Sequence, residues 1–465
     1  MNALLIRGAE LLDGRVTDIR IRGGLVADIG ILEATPDEQV IEARGGLLLP
    51  GLHDHHVHIA ATAAALASVK CGPPEVRDEA GLAAALGQPG TGWLRGIGYH
   101  ESVTGGLIGK AWLDRVVPHR PIRVQHRTGR MWIFNSAGLE ALLATGLTLP
   151  EGLDRQSGQL FDDDGWLRRA LGGTPPSFVE LGAAYARLGV TGVTEMSPGN
   201  GAVEAGHFVR EHEAGALPQR VLLAGTLALG QNVPLHGLVL GPVKLHLHEA
   251  ALPDFGEAVA LMRAAHDQGR VVAVHCVTET ELVFTLAAFR EAGARKGDRI
   301  EHASVTPCGL LRDFVDLGLA VVVQPNFVAE RGDEYRADIP ARDWPNLYRL
   351  RSFLAAGVTM AGGSDTPFGA LDPWVAMAAA VSRRTRDGAV LGAEEALTPE
   401  EALGLFLADP VALGRARAVA VGTAADLCLL RRPWREARVA LSAGLVRATL
   451  IGGRLVHNGV DEAPG

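Results

Sequence analysis

The chain has 465 residues, 47% of them apolar, and a formal net charge of −9 from 53 acidic and 44 basic side chains. That is longer than one ordinary domain and apolar enough for a large core, and an acidic balance without a long basic run excludes nucleic acid or an anionic membrane as the main partner. No uninterrupted apolar run spans a bilayer, MNALLIRGAELL lacks signal-peptide features, and Cys71, Cys276, Cys308 and Cys428 show neither disulfide nor zinc-ribbon spacing, so a cytoplasmic protein is expected.

Both ends read as short strands joined by tight turns. IRIRGGLVADIG alternates around Gly23-Gly24, and ATLIGGRLVHNG does the same around Gly452-Gly453. The simplest arrangement is a composite β-domain from residues 1–50 and 415–465, with 51–414 inserted between them.

LLLPGLHDHHVHI, residues 47–59, is an apolar run that ends in histidines. Period-two alternation puts His56 and His58 on one side with Asp54, and His53, His55 and Val57 on the other. Two imidazoles at the end of a buried strand can grip a divalent metal, with Asp54 expected to orient one of them.

Residues 60–175 break the repeat that follows and read as an insertion after the first strand. RPIRVQH in this stretch is alternatively a barrel strand. Within RTGRMWIF, alternation places Arg130 and Trp132 on one face with Thr128. An Arg beside an indole can hold a carboxylate or stack on an aromatic ring, and substrate contact is the functional expectation.

From there to about 414 the chain alternates apolar strands with Ala/Leu-rich helices, the pattern of a parallel sheet. Eight strands are expected: GLHDHHVH, GVTGVTEM, RVLLAGTLAL, PVKLHLH, RVVAVHC, RIEHA, AVVVQPN and VTMAGGSD. Polar residues sit mostly at their C-terminal ends, where (β/α)₈ barrels build their sites. Lys244, one of only four lysines, lies in the fourth, His275 in the fifth, His302 in the sixth and Asp365 in the eighth. Glu195 closes the second strand as a structural or supporting carboxylate. Cys276 should point away from the lumen. His246 and His248 share the face of Lys244 by alternation and are expected to line the mouth or contact substrate. Arg331 and Tyr335, in a charged loop after the seventh strand, are further substrate-contact candidates. Thr398-Pro399-Glu400-Glu401 marks a helix start with a Thr cap and Pro in the first position.

This ordered set resembles the amidohydrolase superfamily of metal-dependent hydrolases over nearly the whole chain. GWLRGIGYHES, NSAGLEA, RIEHA and GGSDTPFGALDPW look most like its YtcJ branch, amidohydrolase family 3. The resemblance implies a (β/α)₈ barrel with a small β-sandwich domain from both termini. It implies two divalent metals, zinc being the expected one: His56, His58 and Asp365 on one, His275 and His302 on the other, carboxylated Lys244 bridging them. A metal-activated hydroxide would then attack a carbonyl, with Asp365 moving the proton to the leaving nitrogen. The implied reaction is hydrolysis of a C–N bond in a small amide, N-acyl or N-formyl amine, or cyclic amide. The expected partner is that small molecule, with neither nucleic acid nor membrane involved and a homodimer left open.

Two departures fall where substrate is read. Arg130 stands where the branch commonly has His, and HLHEA follows Lys244 where an Asp-Gly pair is common. A mononuclear-metal deaminase of the same superfamily and an inactive metal-binding regulator are the alternatives. Lys244, and the five-residue spacing His275 to Glu279 in place of His-x-x-Glu, weigh against the first; the complete ligand set weighs against the second.

Overall fold

A computed structural model describes residues 3–73, 75–172, 175–230 and 235–459. Eight strands pair side by side, every pair parallel, in the order Leu52–Val57, Val190–Glu195, Arg220–Gly225, Val239–His246, Val272–Cys276, Arg299–His302, Ala320–Val323 and Thr359–Gly362. These are the eight expected strands. Val57 bridges Thr366, which joins the first strand to the chain just past the eighth. The approach there is close: a Cβ on Gly363 would lie 2.8 Å from the His56 backbone nitrogen, so only glycine fits.

Helices alternate with these strands, and their starts are written locally. Thr278 and Thr398 each form a capping box with a glutamate three residues on, and Pro399 opens the second of these helices. Covered by helices outside and packed inside, barrel strands are apolar almost throughout; Val190–Glu195 is buried at every position.

The two chain ends build two four-stranded sheets. One holds Leu4–Glu10, Val16–Arg22, Leu25–Gly30 and Gln39–Glu42; the other holds Leu48–Pro50, Leu427–Leu430, Val446–Ile451 and Arg454–Asn458. Both expected hairpins are present, pairing Arg22 with Leu25 and Ile451 with Arg454. Leu4, Ile6 and Ile19 share one apolar cluster with Leu427, Leu429 and Leu450. The two sheets belong to the same compact unit as the barrel, residues 1–59 with 177–465.

Residues 60–176 form a second compact unit. Its six-stranded sheet runs Leu153–Asp154, Gln159–Phe161, Met131–Phe134, Ile122–His126, Leu94–Tyr99, Val69–Lys70. RPIRVQH lies in this sheet, so the alternative that it is a barrel strand does not hold. No helix among the described residues is long and apolar enough to cross a membrane.

Candidate metal centre

The C-terminal ends of the barrel strands bring the expected ligands together. His56, His302 and Asp365, from strands one and six and the turn after strand eight, each offer a ligand atom within 4.8 Å of the others. The His58 Nε2 lies 3.2 Å and the His56 Nε2 3.5 Å from the Asp365 Oδ1. The His275 ring centre is 4.4 Å from that of His302. The close trio thus draws from both ligand sets that the resemblance assigns to separate metals, and the two sets form one continuous cluster.

Partners on the far side of each ring set its orientation. The His56 Nδ1 lies 2.5 Å from the Glu301 Oε2, which leaves Nε2 facing the cluster. The His302 Nδ1 pairs with the Gln324 Oε1 at 2.8 Å, and the His58 Nδ1 with the Ser197 hydroxyl at 3.0 Å. Burial pushes the His56 and His302 imidazoles well below their usual range, so they are neutral and able to ligate. Burial likewise lowers His275.

Lys244 lies within this group, 6% exposed, and its Nζ has no hydrogen-bond partner. Burial lowers its ammonium from 10.5 to about 8, against the opposing pull of Glu301. The Asp365 Oδ1 is also buried without a hydrogen-bond partner. An amine and a carboxylate oxygen left in this state beside neutral imidazoles are what a cation site requires, and the donor set fits divalent metal.

Backbone strain is concentrated here. His302 and Asp365 take left-handed conformations, with φ of 72° and 57°. Non-glycine residues adopt these at a cost, and they recur at functional sites. The turn at His302 lets two successive residues, Glu301 and His302, both approach His56. Asp365 is pinned by its backbone N–H, which donates to the His56 carbonyl at 2.8 Å.

Asp54 binds backbone: its Oδ1 accepts the N–H groups of Ser364 and His56, and among the described residues it makes no hydrogen bond to a histidine ring. The pairing of strand one with strand two slips between Asp54 and Val57, so period two does not run unbroken through the motif. The carboxylate that orients a ligand is instead Glu301, unmarked in the sequence because it sits beside His302 on a strand where neighbours should diverge. Glu195 serves the backbone: it accepts N–H groups from Ile59 and Ser197 and the Asn200 amide. Cys276 contacts the Thr285 hydroxyl on the following helix, and burial pushes its thiol up to about 12, so it is no nucleophile.

The substrate-contact candidates divide. The ring of His246, at the end of strand four, is centred 4.3 Å from that of His275, so it borders the cluster. His248 lies past the strand end, where its ring accepts the Ala250 N–H and caps a short helical turn. Arg331 and Tyr335 are on a helix, Asn326–Asp338, where a loop was expected. Arg331 lies over the Phe327 ring and donates to the Phe368 carbonyl. The Tyr335 hydroxyl bonds that of Tyr348. Phe368, unmarked in the sequence, stands edge-on to His58 with ring centres 5.5 Å apart, and is 58% exposed.

In the insertion, Arg130 and Trp132 make separate contacts. Arg130 lies in the turn before the strand Met131–Phe134, exposed and paired with Asp162. Trp132 is buried, its indole N–H donating to Asp164 at 2.6 Å.

Comparison with known proteins agrees with this architecture. The chain is 24% identical to an N-substituted formamide deformylase of Arthrobacter pascens, over 92% of each chain. It is 23% identical to YtcJ of Bacillus subtilis (strain 168), over 84% of this chain and 85% of that protein. A metal-dependent hydrolase of Pyrococcus horikoshii OT3 has the same fold, with a TM-score of 0.76 at 19% identity over 98% of this chain and all of that one. The model of the amidohydrolase family matches residues 39–457, so the chain belongs to that family.

Proposed function

We propose that this protein hydrolyses a carbon–nitrogen bond of a small molecule at the barrel mouth. The substrate class is an amide, an N-acyl or N-formyl amine, or a cyclic amide. His56, His58 and Asp365 would hold one divalent metal and His275 and His302 a second, zinc being the expected ion, with carboxylated Lys244 between them. The similarity to a formamide deformylase supports N-formyl amines as the first substrates to test.

The observation that carries this reading is the buried Lys244 amine without a partner amid imidazoles. A lone buried ammonium is costly, whereas the neutral amine can add carbon dioxide, releasing a proton and gaining two anionic oxygens suited to cations. Divalent metal held there would supply Lewis acidity, lowering the pKa of water towards about 7 and polarising a carbonyl. Asp365, whose free Oδ1 faces the His56 and His58 Nε2 atoms, takes the proton from the attacking water and returns it to the leaving nitrogen. Glu301 and Gln324 hold the ligand rings in one tautomer throughout. Phe368 offers an apolar wall beside His58 for a substituent of the substrate.

A mononuclear centre is the second reading, favoured by the closeness of His56, His302 and Asp365. Elemental analysis separates the two, at two metals per chain or one. A screen of N-formyl amines, N-acyl amines, ureas and cyclic amides tests the reaction. Turnover of none of them, with the metals fully loaded, would leave a binding protein and not an enzyme.

A further inference from the structure

The insertion carries a charge imbalance of its own. Arg95, on the strand Leu94–Tyr99, and Arg123, on Ile122–His126, are direct partners across a parallel pair. Like charges placed opposite each other on neighbouring strands destabilise a sheet. Both guanidiniums lie against one indole: the Cζ atoms of Arg95 and Arg123 are 5.4 Å and 5.3 Å from the centre of the Trp132 ring. Arg123 also lies 5.9 Å from the Trp93 ring.

The two arginines are unequally satisfied. Arg95 donates to the Ser68 hydroxyl at 3.1 Å and to the Gln125 amide oxygen at 3.4 Å. Among the described residues the Arg123 guanidinium makes no hydrogen bond or ion pair, and its Nε is buried without a partner. Burial and the Arg95 charge lower it to about 10. One carboxylate, Asp164, attracts both, and one of its oxygens already accepts the Trp132 N–H. Two cations and one anion leave a single positive charge. Both arginines are half-buried, so solvent reaches them.

We propose that Arg95, Arg123 and Trp132 form a binding site for a small carboxylate, received by the two guanidiniums over the indole face. Carboxylate suits the site on two counts. Its single negative charge matches the residual positive one, and its planar pair of oxygens fits the guanidinium fork. An aromatic or flat body attached to it would lie beside the half-buried Trp93, since Trp132 itself is buried. The RTGRMW motif therefore leads to a carboxylate site through its tryptophan, with arginines from two other strands in place of Arg130.

The test uses the full-length, metal-loaded protein with benzoate as probe and benzamide as its neutral counterpart. Benzoate should raise the melting temperature of the wild type saturably and benzamide should not. Arg95→Met and Arg123→Met should each weaken benzoate at least about tenfold, metal content being unchanged. Arg123→Lys, which keeps the charge and loses the fork, should also weaken it. Benzoate bound at the metals would survive in all three variants, and that result would overturn the proposal. Without benzoate, Arg123→Met should melt at or above the wild-type temperature, because an uncompensated cation has been removed. A lower melting temperature, or failure to fold, would show that the guanidinium is structural and would equally overturn it.

Discussion

In the barrel, Val190–Glu195 is buried at every position, whereas in the insertion Ile122–His126 alternates buried with half-buried residues. A polar side chain on a strand covered on both faces must find a partner or be costly, so each one seen there carries information. At a half-buried position a polar residue can keep part of its side chain in water, so it asks less of its neighbours. The same kind of residue is therefore a strong signal in one region and a weak one in the other. His275, His302 and Lys244 converge as their strand positions imply, while the Arg130 and Trp132 pair dissolves into separate contacts.

Substitutions can sharpen this contrast, and the largest effect is expected in the barrel. Asp365→Asn should keep the fold while lowering turnover by about 10² to 10⁴, since the amide cannot accept a proton. Activity within about tenfold of the wild type would remove Asp365 from proton transfer. Lys244→Ala should lose activity and regain part of it with added short carboxylic acids, which replace the missing oxygens. Absence of any rescue, with metal retained, would count against a bridging carbamate.

Glu301→Gln should weaken metal binding by about 10- to 100-fold, the usual cost of losing a ligand's supporting carboxylate. Titration against a competing chelator measures it, and unchanged affinity would show that His56 needs no anionic partner. Arg130→Ala, in the insertion, should leave KM within about twofold, since an exposed arginine paired with Asp162 is already accounted for. A sharp rise in KM would break the comparison by giving the insertion a part in substrate binding.

The smallest effect concerns acid. Hydrogen bonds from Arg351 lower the Glu401 carboxyl from 4.5 to about 2. A carboxyl depressed in the folded state stabilises the protein fully above its unfolded pKa and loses that contribution as pH falls through about 2. Glu401→Gln should therefore flatten the melting-temperature profile between about pH 4.5 and 2. An unchanged slope there would deny the pair any role.

Much of the fold was legible because its signals are local. The eight strands, both glycine hairpins and the Thr398 cap depend on neighbours in sequence. The strand-end cluster was legible because a polar residue at the end of an apolar strand has few other uses. What escaped depended on backbone irregularities that alternation does not encode. Asp54 takes backbone N–H groups in place of a ring, and the left-handed turn at His302 accompanies the approach of Glu301 to His56. The charged stretch around Arg331 and Tyr335 has no clear apolar stripe and reads as a loop, yet it is helical. Arg95 and Arg123 were invisible as a pair because strand register alone makes them neighbours.

The meeting of the first strand with the chain just past the eighth has a consequence for assembly. Asp365 donates its backbone N–H to the His56 carbonyl, and Ser364 donates to the Asp54 side chain across 310 positions of sequence. Contacts of such separation carry a larger loop-closure cost than those between neighbouring strands. The close trio of His56, His302 and Asp365 therefore cannot exist in a half-made ring, and metal uptake becomes a readout of whether the circle has shut. A pulse of metal during refolding would time that closure directly, and a chain cut anywhere between the two strands would have to re-form the ring before it could hold an ion.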